Sequence, residues 1–164
     1  MDVKFAPWRI DYIKGEKNAD GCVFCRDSAR NEALVLREGR LSFVTMNLYP
    51  YNNGHLMVVP YRHVSPFEDL TGDEKTEMFG LIDMALIALK RVMNPEGFNI
   101  GVNLGRAAGA GVDEHLHVHI VPRWNGDTNY MSTIGAVRVI PEDLLATKRQ
   151  LLPHFQKENE GESK

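Results

Sequence analysis

From His115 to Val121 the chain alternates imidazole with aliphatic side chains, and three of its six histidines, His115, His117 and His119, stand two residues apart. Successive side chains of a β-strand point to opposite faces. Leu116, Val118 and Ile120 are therefore expected to enter a core, while the three rings line the other face roughly 6.5–7 Å apart. A solvated face would more naturally carry Thr, Lys or Glu. Imidazole titrates near neutrality and attacks phosphorus when one ring nitrogen is bare and the other is tied by a hydrogen bond. Neighbouring rings, held partly protonated, would steady phosphate oxygens and protonate a leaving group. That division of labour points to phosphoryl or nucleotidyl transfer through a histidine adduct. The same residues allow a second chemistry, in which two strand histidines and His55 or His63 hold a catalytic zinc with a bound hydroxide as attacker. Spacing alone does not separate the two.

Two further features lie near this stretch. Gly105 to Gly111 combines glycine with alanine, a composition that lets several backbone N–H groups converge on one anion, and it leads straight into His115. The only two cysteines, Cys22 and Cys25, form Cys-Val-Phe-Cys. Three positions apart, they are poorly placed to staple distant segments, and a cytosol would keep them reduced. They read as half a metal site, a redox pair or two inert residues. Flanking Asp20-Gly21 and Arg26-Asp27-Ser28 look like loop, not the helix opening a redox pair favours.

The elements that would position these residues can be read around them. Strands are expected at Ala33–Glu38 and Leu41–Met46, turned by Gly39-Arg40, and at His55–Val59, closed by Pro60. Thr71 to Glu74 fits a capping box, and Met78, Leu81, Ile82, Ala85, Leu89 and Val92 repeat as one buried helix face until Asn94-Pro95. A strand follows at Phe98–Asn103, then the glycine-rich loop and the histidine strand. Gly135–Ile140 reads as extended, and Pro141 as the start of a final helix. Residues 1–20 read as an irregular arm, 21–155 as one domain, and 156–164 as a disordered tail. Strands joined by short connections, with one long helix between the third and fourth, give an α+β protein with an antiparallel sheet.

The 164 residues suit one domain, and a net charge of −3 provides no general field for a nucleic acid polymer or an anionic membrane. No apolar run reaches the ~20 residues of a membrane span, and the N-terminus lacks the apolar centre of a signal peptide, so a cytoplasmic location is expected.

His115 to Val121 resembles the signature of the histidine triad (HIT) superfamily, His-φ-His-φ-His-φ-φ with φ hydrophobic, at every position. Asn47 to His63, with Gly54-His55 and Pro60 inside it, is similar to the family's second block. Ala6-Pro7-Trp8-Arg9, Asn99 to Gly105 and Pro122 to Asp127 look like the bacterial branch related to the fragile histidine triad protein and to diadenosine tetraphosphate phosphorylases. The resemblance covers roughly residues 20–125.

It implies a HIT-like fold: a five-stranded antiparallel sheet per subunit, one long and one C-terminal helix, and a homodimer that extends the sheet. It also implies a nucleotide substrate, such as a dinucleoside polyphosphate, cleaved at the α-phosphate, which favours covalent histidine catalysis over zinc-hydroxide. His117 would carry the nucleotidyl group, with His119, His55 and His115 as the other catalytic histidines. Asn47 falls where the family contacts ribose, and Asn103 with Gly109, Ala110 and Gly111 where it holds phosphate; Trp124 would stack on a base or pack a dimer edge. Cys22, Cys25, His63 and His115 match the family's structural zinc ligands, in which case His115 orients and does not touch phosphate. No organic cofactor is expected, and a divalent cation carried by the substrate could approach Asp113 and Glu114. One departure stands out. Ala110 to Glu114 has neither the Gln nor the hydroxyl with which family hydrolases assist the leaving group, and it is one residue longer. Phosphate is thus at least as good an acceptor as water. A nucleoside phosphoramidase and a nucleotide-binding sensor with negligible turnover are the alternatives.

Overall fold

Thr71 opens the longest element as its composition predicts: the Glu74 N–H donates to the Thr71 hydroxyl, and the Thr71 N–H donates to the Glu74 carboxylate. In this computed structural model, which describes residues 21–26, 30–127 and 140–156, the order is β1 (Val35–Glu38), β2 (Ser42–Met46), β3 (Leu56–Pro60), α1 (Gly72–Met93), β4 (Gly97–Gly101), β5 (Val118–Arg123) and α2 (Leu144–Gln156). The strands form one antiparallel sheet in the order β1-β2-β3-β5-β4, so the α+β expectation holds. Val44, Met46, Leu56, Val58, Val118 and Ile120 face α1, whose Met78, Leu81, Ile82, Ala85 and Leu89 complete the core. Leu151 and Phe155 of α2 close it beside β1. No helix among the described residues is long and apolar enough to cross a membrane.

Three details shape the histidine face. Gly54 sits at φ +71°, and a Cβ there would stand 2.6 Å from the Met93 sulfur of α1, so only glycine makes the turn that leads into His55. Arg62 binds Glu74 through two nitrogens, at 3.0 and 2.8 Å, and so fastens the segment carrying His63 to the start of α1. The third detail corrects the sequence reading. Only His119 lies within a paired strand, because β5 begins at Val118 opposite Val58. The next pairing would need an N–H from Pro60, which has none. The Pro60 carbonyl takes the His115 ring instead, and the Leu116 N–H turns to the Val64 carbonyl. His115 and His117 still alternate with buried Leu116 and Val118, so the expected sidedness survives without the ladder.

Element ends differ elsewhere. Glu32–Leu34 is a single 3-10 turn capped by Asn31, so β1 starts at Val35. The last helix starts at Leu144, not Pro141, because the Asp143 carboxylate accepts the Leu145 and Ala146 N–H groups. Gln156, read as tail, is its last residue. The N-terminal arm, residues 157–164 and all but Ile140 of the extended segment expected at Gly135–Ile140 lie outside the described residues.

Candidate active site and metal cluster

At one end of the histidine row, Cys22, Cys25, His63 and His115 bring four ligand atoms within 4.8 Å of one another. Cys22 Sγ lies 3.2 Å from His115 Nδ1, and Cys25 Sγ lies 3.6 Å from His115 Nδ1 and 3.4 Å from His63 Nδ1. Tetrahedral zinc with sulfur at about 2.3 Å and nitrogen at about 2.0–2.1 Å places neighbouring ligand atoms roughly 3.6 Å apart. The donor set fits that shape before any ion is added. His115 Nε2 donates to the Pro60 carbonyl at 2.8 Å, which leaves Nδ1 bare toward the thiols, as an oriented metal ligand requires. The Phe24 N–H points at Cys22 Sγ, the donor a thiolate attracts. The cysteines thus sit in a ligand cluster, and among the described residues around them there is no helix of the kind the redox reading favours.

The middle histidine is held differently. His117 Nδ1 donates to the carbonyl of His115 at 2.8 Å. Its Nε2 is then the bare nitrogen, the one able to attack. His119 follows, its ring centroid 4.8 Å from that of His117 and nearly perpendicular to it. His119 Nδ1 lies 3.0 Å from His55 Nε2, and His55 Nδ1 faces the Tyr51 N–H at 3.0 Å.

His55, His115, His117 and His119 are all buried, the first completely. Burial is the main cause that lowers each of their pKa values. His55 falls to about 3, with His119 and His117 adding to the effect of burial, and His119 to about 4, with His117 adding. Both are neutral near pH 7, whereas the sequence reading expects partly protonated neighbours. The difference arises because the face is covered, which periodicity does not reveal. The Phe24 ring lies 5.7 Å from His115 and 5.0 Å from His117, and the Tyr51 ring 4.7 Å from His55 and 5.5 Å from His119. Neither aromatic residue is evident in advance as part of the site. Their only signals are a phenylalanine between the two cysteines and a tyrosine four residues before His55.

The remaining candidates are less gathered. The Asn47 amide lies 3.3 Å from His55 Nδ1, and its oxygen accepts the Tyr49 N–H. Asn103 lines a cleft of ≈ 270 Å³ together with Ser65, Glu68, Asp113 and His115. In the glycine-rich loop the N–H groups of Gly109 and Ala110 fold back on the carbonyls of Arg106 and Gly105, so they do not converge on one point as a preformed anion nest would. Asp113 pairs with Arg106 at 2.6 Å. Trp124 follows β5, five residues from His119 and so ~16 Å along the strand, and its N–H donates to Asp127.

An α+β protein whose reactive groups are the imidazoles of one sheet face is the class that fold and site define. The HIT domain model matches residues 28–126, and the chain belongs to that family. An AP-4-A phosphorylase of Mycobacterium tuberculosis is 50% identical over 127 residues, which cover 77% of this chain and 65% of the relative. The chain thus spans less than two thirds of that relative's length. The asymmetrical bis(5'-nucleosyl)-tetraphosphatase of Schizosaccharomyces pombe is 38% identical over 57% of this chain and 50% of its own. Among solved structures, a Zn-bound histidine triad family protein from Mycobacterium smegmatis is 28% identical with a TM-score of 0.67, over 82% of this chain and 93% of that one.

Proposed function

We propose that the chain cleaves dinucleoside polyphosphates, such as diadenosine tri- or tetraphosphate, at the α-phosphate through a nucleotidyl group on His117, with inorganic phosphate as acceptor. The hydrogen bond from His117 Nδ1 to the His115 carbonyl carries this reading, because it aims an unprotonated Nε2 out of a rigid backbone. Nε2 attacks the α-phosphorus, the bond to the bridging oxygen breaks, and the nucleoside polyphosphate departs with the electron pair. It leaves as an anion, because phosphate's second ionisation lies near pH 6, so the neutral neighbours suffice. A phosphate oxygen then attacks the same phosphorus, and His117 departs as a nucleoside diphosphate forms. Ala110 to Glu114 has neither the Gln nor the hydroxyl with which family hydrolases assist the leaving group, and the named phosphorylase relative supports phosphate as the acceptor. Hydrolysis, with a monophosphate as product, is the second reading, favoured by the tetraphosphatase relative.

His119 and His55 support the transition state; Asn47 would reach ribose, and Asn103 the phosphates. Gly109 to Gly111 would join them once the loop exchanges its internal bonds. Trp124, so far along β5, suits a dimer edge better than a base in the same subunit. Cys22, Cys25, His63 and His115 would hold a zinc that ties the N-terminal segment to both histidine blocks. A second copy would pair along β4, which has no partner strand on its outer side among the described residues and leaves Asn99, Ile100 and Gly101 exposed. The protein is placed in the cytoplasm, where paired thiols stay reduced.

The test is product analysis after separate incubations with diadenosine tetraphosphate and with an adenosine phosphoramidate, each with and without inorganic phosphate. ADP and ATP formed only with phosphate are expected. AMP and ATP in equal yield would establish hydrolysis. Turnover confined to an adenosine phosphoramidate would assign the phosphoramidase, and no product from any substrate would leave a sensor.

A further inference from the structure

The loop between β2 and β3 does more than connect strands, because it turns hydrogen-bond donors back onto the ring it delivers. The Tyr51 backbone N–H lies 3.0 Å from His55 Nδ1, and the Asn47 amide stands 3.3 Å from the same nitrogen. A backbone N–H can only donate, so His55 Nδ1 must accept. The Asn47 amide is oriented to agree with this, since its oxygen accepts the Tyr49 N–H and its nitrogen is turned to the ring. A neutral imidazole with Nδ1 as acceptor carries its proton on Nε2. His55 Nε2 is 3.0 Å from His119 Nδ1, so it donates there, and His119 in turn must hold its proton on its own Nε2. That Nε2 is buried and has no hydrogen-bond partner among the described residues. An orphaned donor in a buried site invites an acceptor. The Tyr51 ring lies against both imidazoles, with 45% of the residue still exposed, and keeps water from competing for their nitrogens.

The geometry points to Tyr51 as a positioning residue: its N–H fixes the tautomer of His55, which fixes that of His119 and presents a single N–H donor for a phosphate oxygen. His119 is then a neutral electrophilic donor whose direction is set two rings away. The order His117, His119, His55, Tyr51 forms a line from the bare nucleophilic nitrogen to a backbone amide. Nothing along it needs a proton to move before the chemical step. The role of the donor rests on the nucleotidyl-transfer reading; the tautomers themselves do not.

The tautomers are read directly by two-bond ¹H–¹⁵N correlation of the ¹⁵N-labelled full chain at pH 7. His55 and His119 are each expected as the Nε2–H form. Tyr51→Phe keeps the N–H and the ring and should leave both signals unchanged. Tyr51→Ala, at a half-exposed loop position, should fold; it uncovers the pair and should lower kcat about tenfold with KM within about twofold, a fraction of what a lost oxyanion donor costs. Tyr51→Pro also deletes the N–H and should put an Nδ1–H population on one or both rings. An Nδ1–H tautomer of His119 in the wild type, or unchanged tautomers in a folded Tyr51→Pro, would overturn the inference. Nε2–H tautomers in a protein that cleaves no dinucleoside polyphosphate would uphold the relay while removing the proposed reaction.

Discussion

The two ends of the histidine row use the same side chain in opposite ways. At the cysteine end, His115 gives its Nε2 proton to the Pro60 carbonyl and turns a bare Nδ1 toward two sulfurs. At the loop end, His119 receives a hydrogen bond at Nδ1 from His55 and is left with an Nε2–H that has no partner among the described residues. Between them His117 donates through Nδ1 and keeps Nε2 bare. On the proposed reading one ring type thus serves as a metal ligand, a nucleophile and a donor within five residues. The repeat does not assign these jobs; the partner of each ring's other nitrogen does. The environments differ too, for His63 at the cysteine end is exposed while His55 at the loop end is wholly buried.

The sharpest way to break this division is His117→Ala. Loss of the nucleophile should lower kcat by more than about 10⁴-fold, beyond the 10²–10⁴ typical of a lost acid or base. Nucleotide affinity, read by calorimetry, should hold, because the ring acts in the chemical step. Rapid quench with α-labelled substrate should trap acid-labile label on the wild type alone. Robust turnover by the variant would mean that water attacks directly and that the middle ring has no special task.

His119→Ala tests the donor end. Removing one preorganised donor costs about 10²–10³ in kcat, and that range is expected here with KM little changed. His55→Ala should fall in the same range, because it removes the bond that orients His119. A loss as large as that of His117→Ala would blur the distinction between donor and nucleophile.

At the cysteine end the expected effect is on folding. Purified protein should contain one zinc per chain, measured by elemental analysis. Cys22→Ala should lose it and melt more than about 10 °C lower, since structural zinc binding contributes directly to folding free energy. A wild type free of metal and equally stable would leave His115 with no ligand role, and the contrast between the two ends would fail.

How much of this the sequence shows depends on whether a feature is local. The capping box at Thr71 and the apolar face of α1 are set by neighbours three and four residues away, and both stand as read. The grouping of Cys22, Cys25, His63 and His115 came from resemblance, because no spacing rule joins residues as far apart as 22 and 115. The start of β5 is not legible in the alternation, because it depends on what Pro60, 58 residues before Val118, cannot donate. The neutral state of His55 and His119 is hidden from the sequence for a similar reason. It comes from burial, to which Tyr51 contributes from a loop whose path the strand pattern does not show.

The smallest expected effect separates the two ends by proton linkage. His119 has a folded pKa of about 4, below the ~6.5 of an unfolded histidine, with burial as the main cause and His117 adding to it. Between those values the unfolded chain binds a proton that the native ring refuses. The stability His119 supports is therefore complete above about pH 6.5 and is lost as pH falls toward 4. Each pH unit in that window removes about 1.4 kcal/mol per ring, so on the order of 2 kcal/mol is gone by pH 5. His119→Gln keeps a polar side chain of similar size but cannot titrate. The stability gap between wild type and this variant, from denaturant unfolding at pH 5 to 7, should therefore narrow or reverse as pH falls. Measuring a difference keeps protonation at the cysteine end, common to both proteins, out of the result. A gap that stays constant across the window would mean that His119 protonates freely when folded, and then it could not serve as the fixed neutral donor that sets it apart from His115.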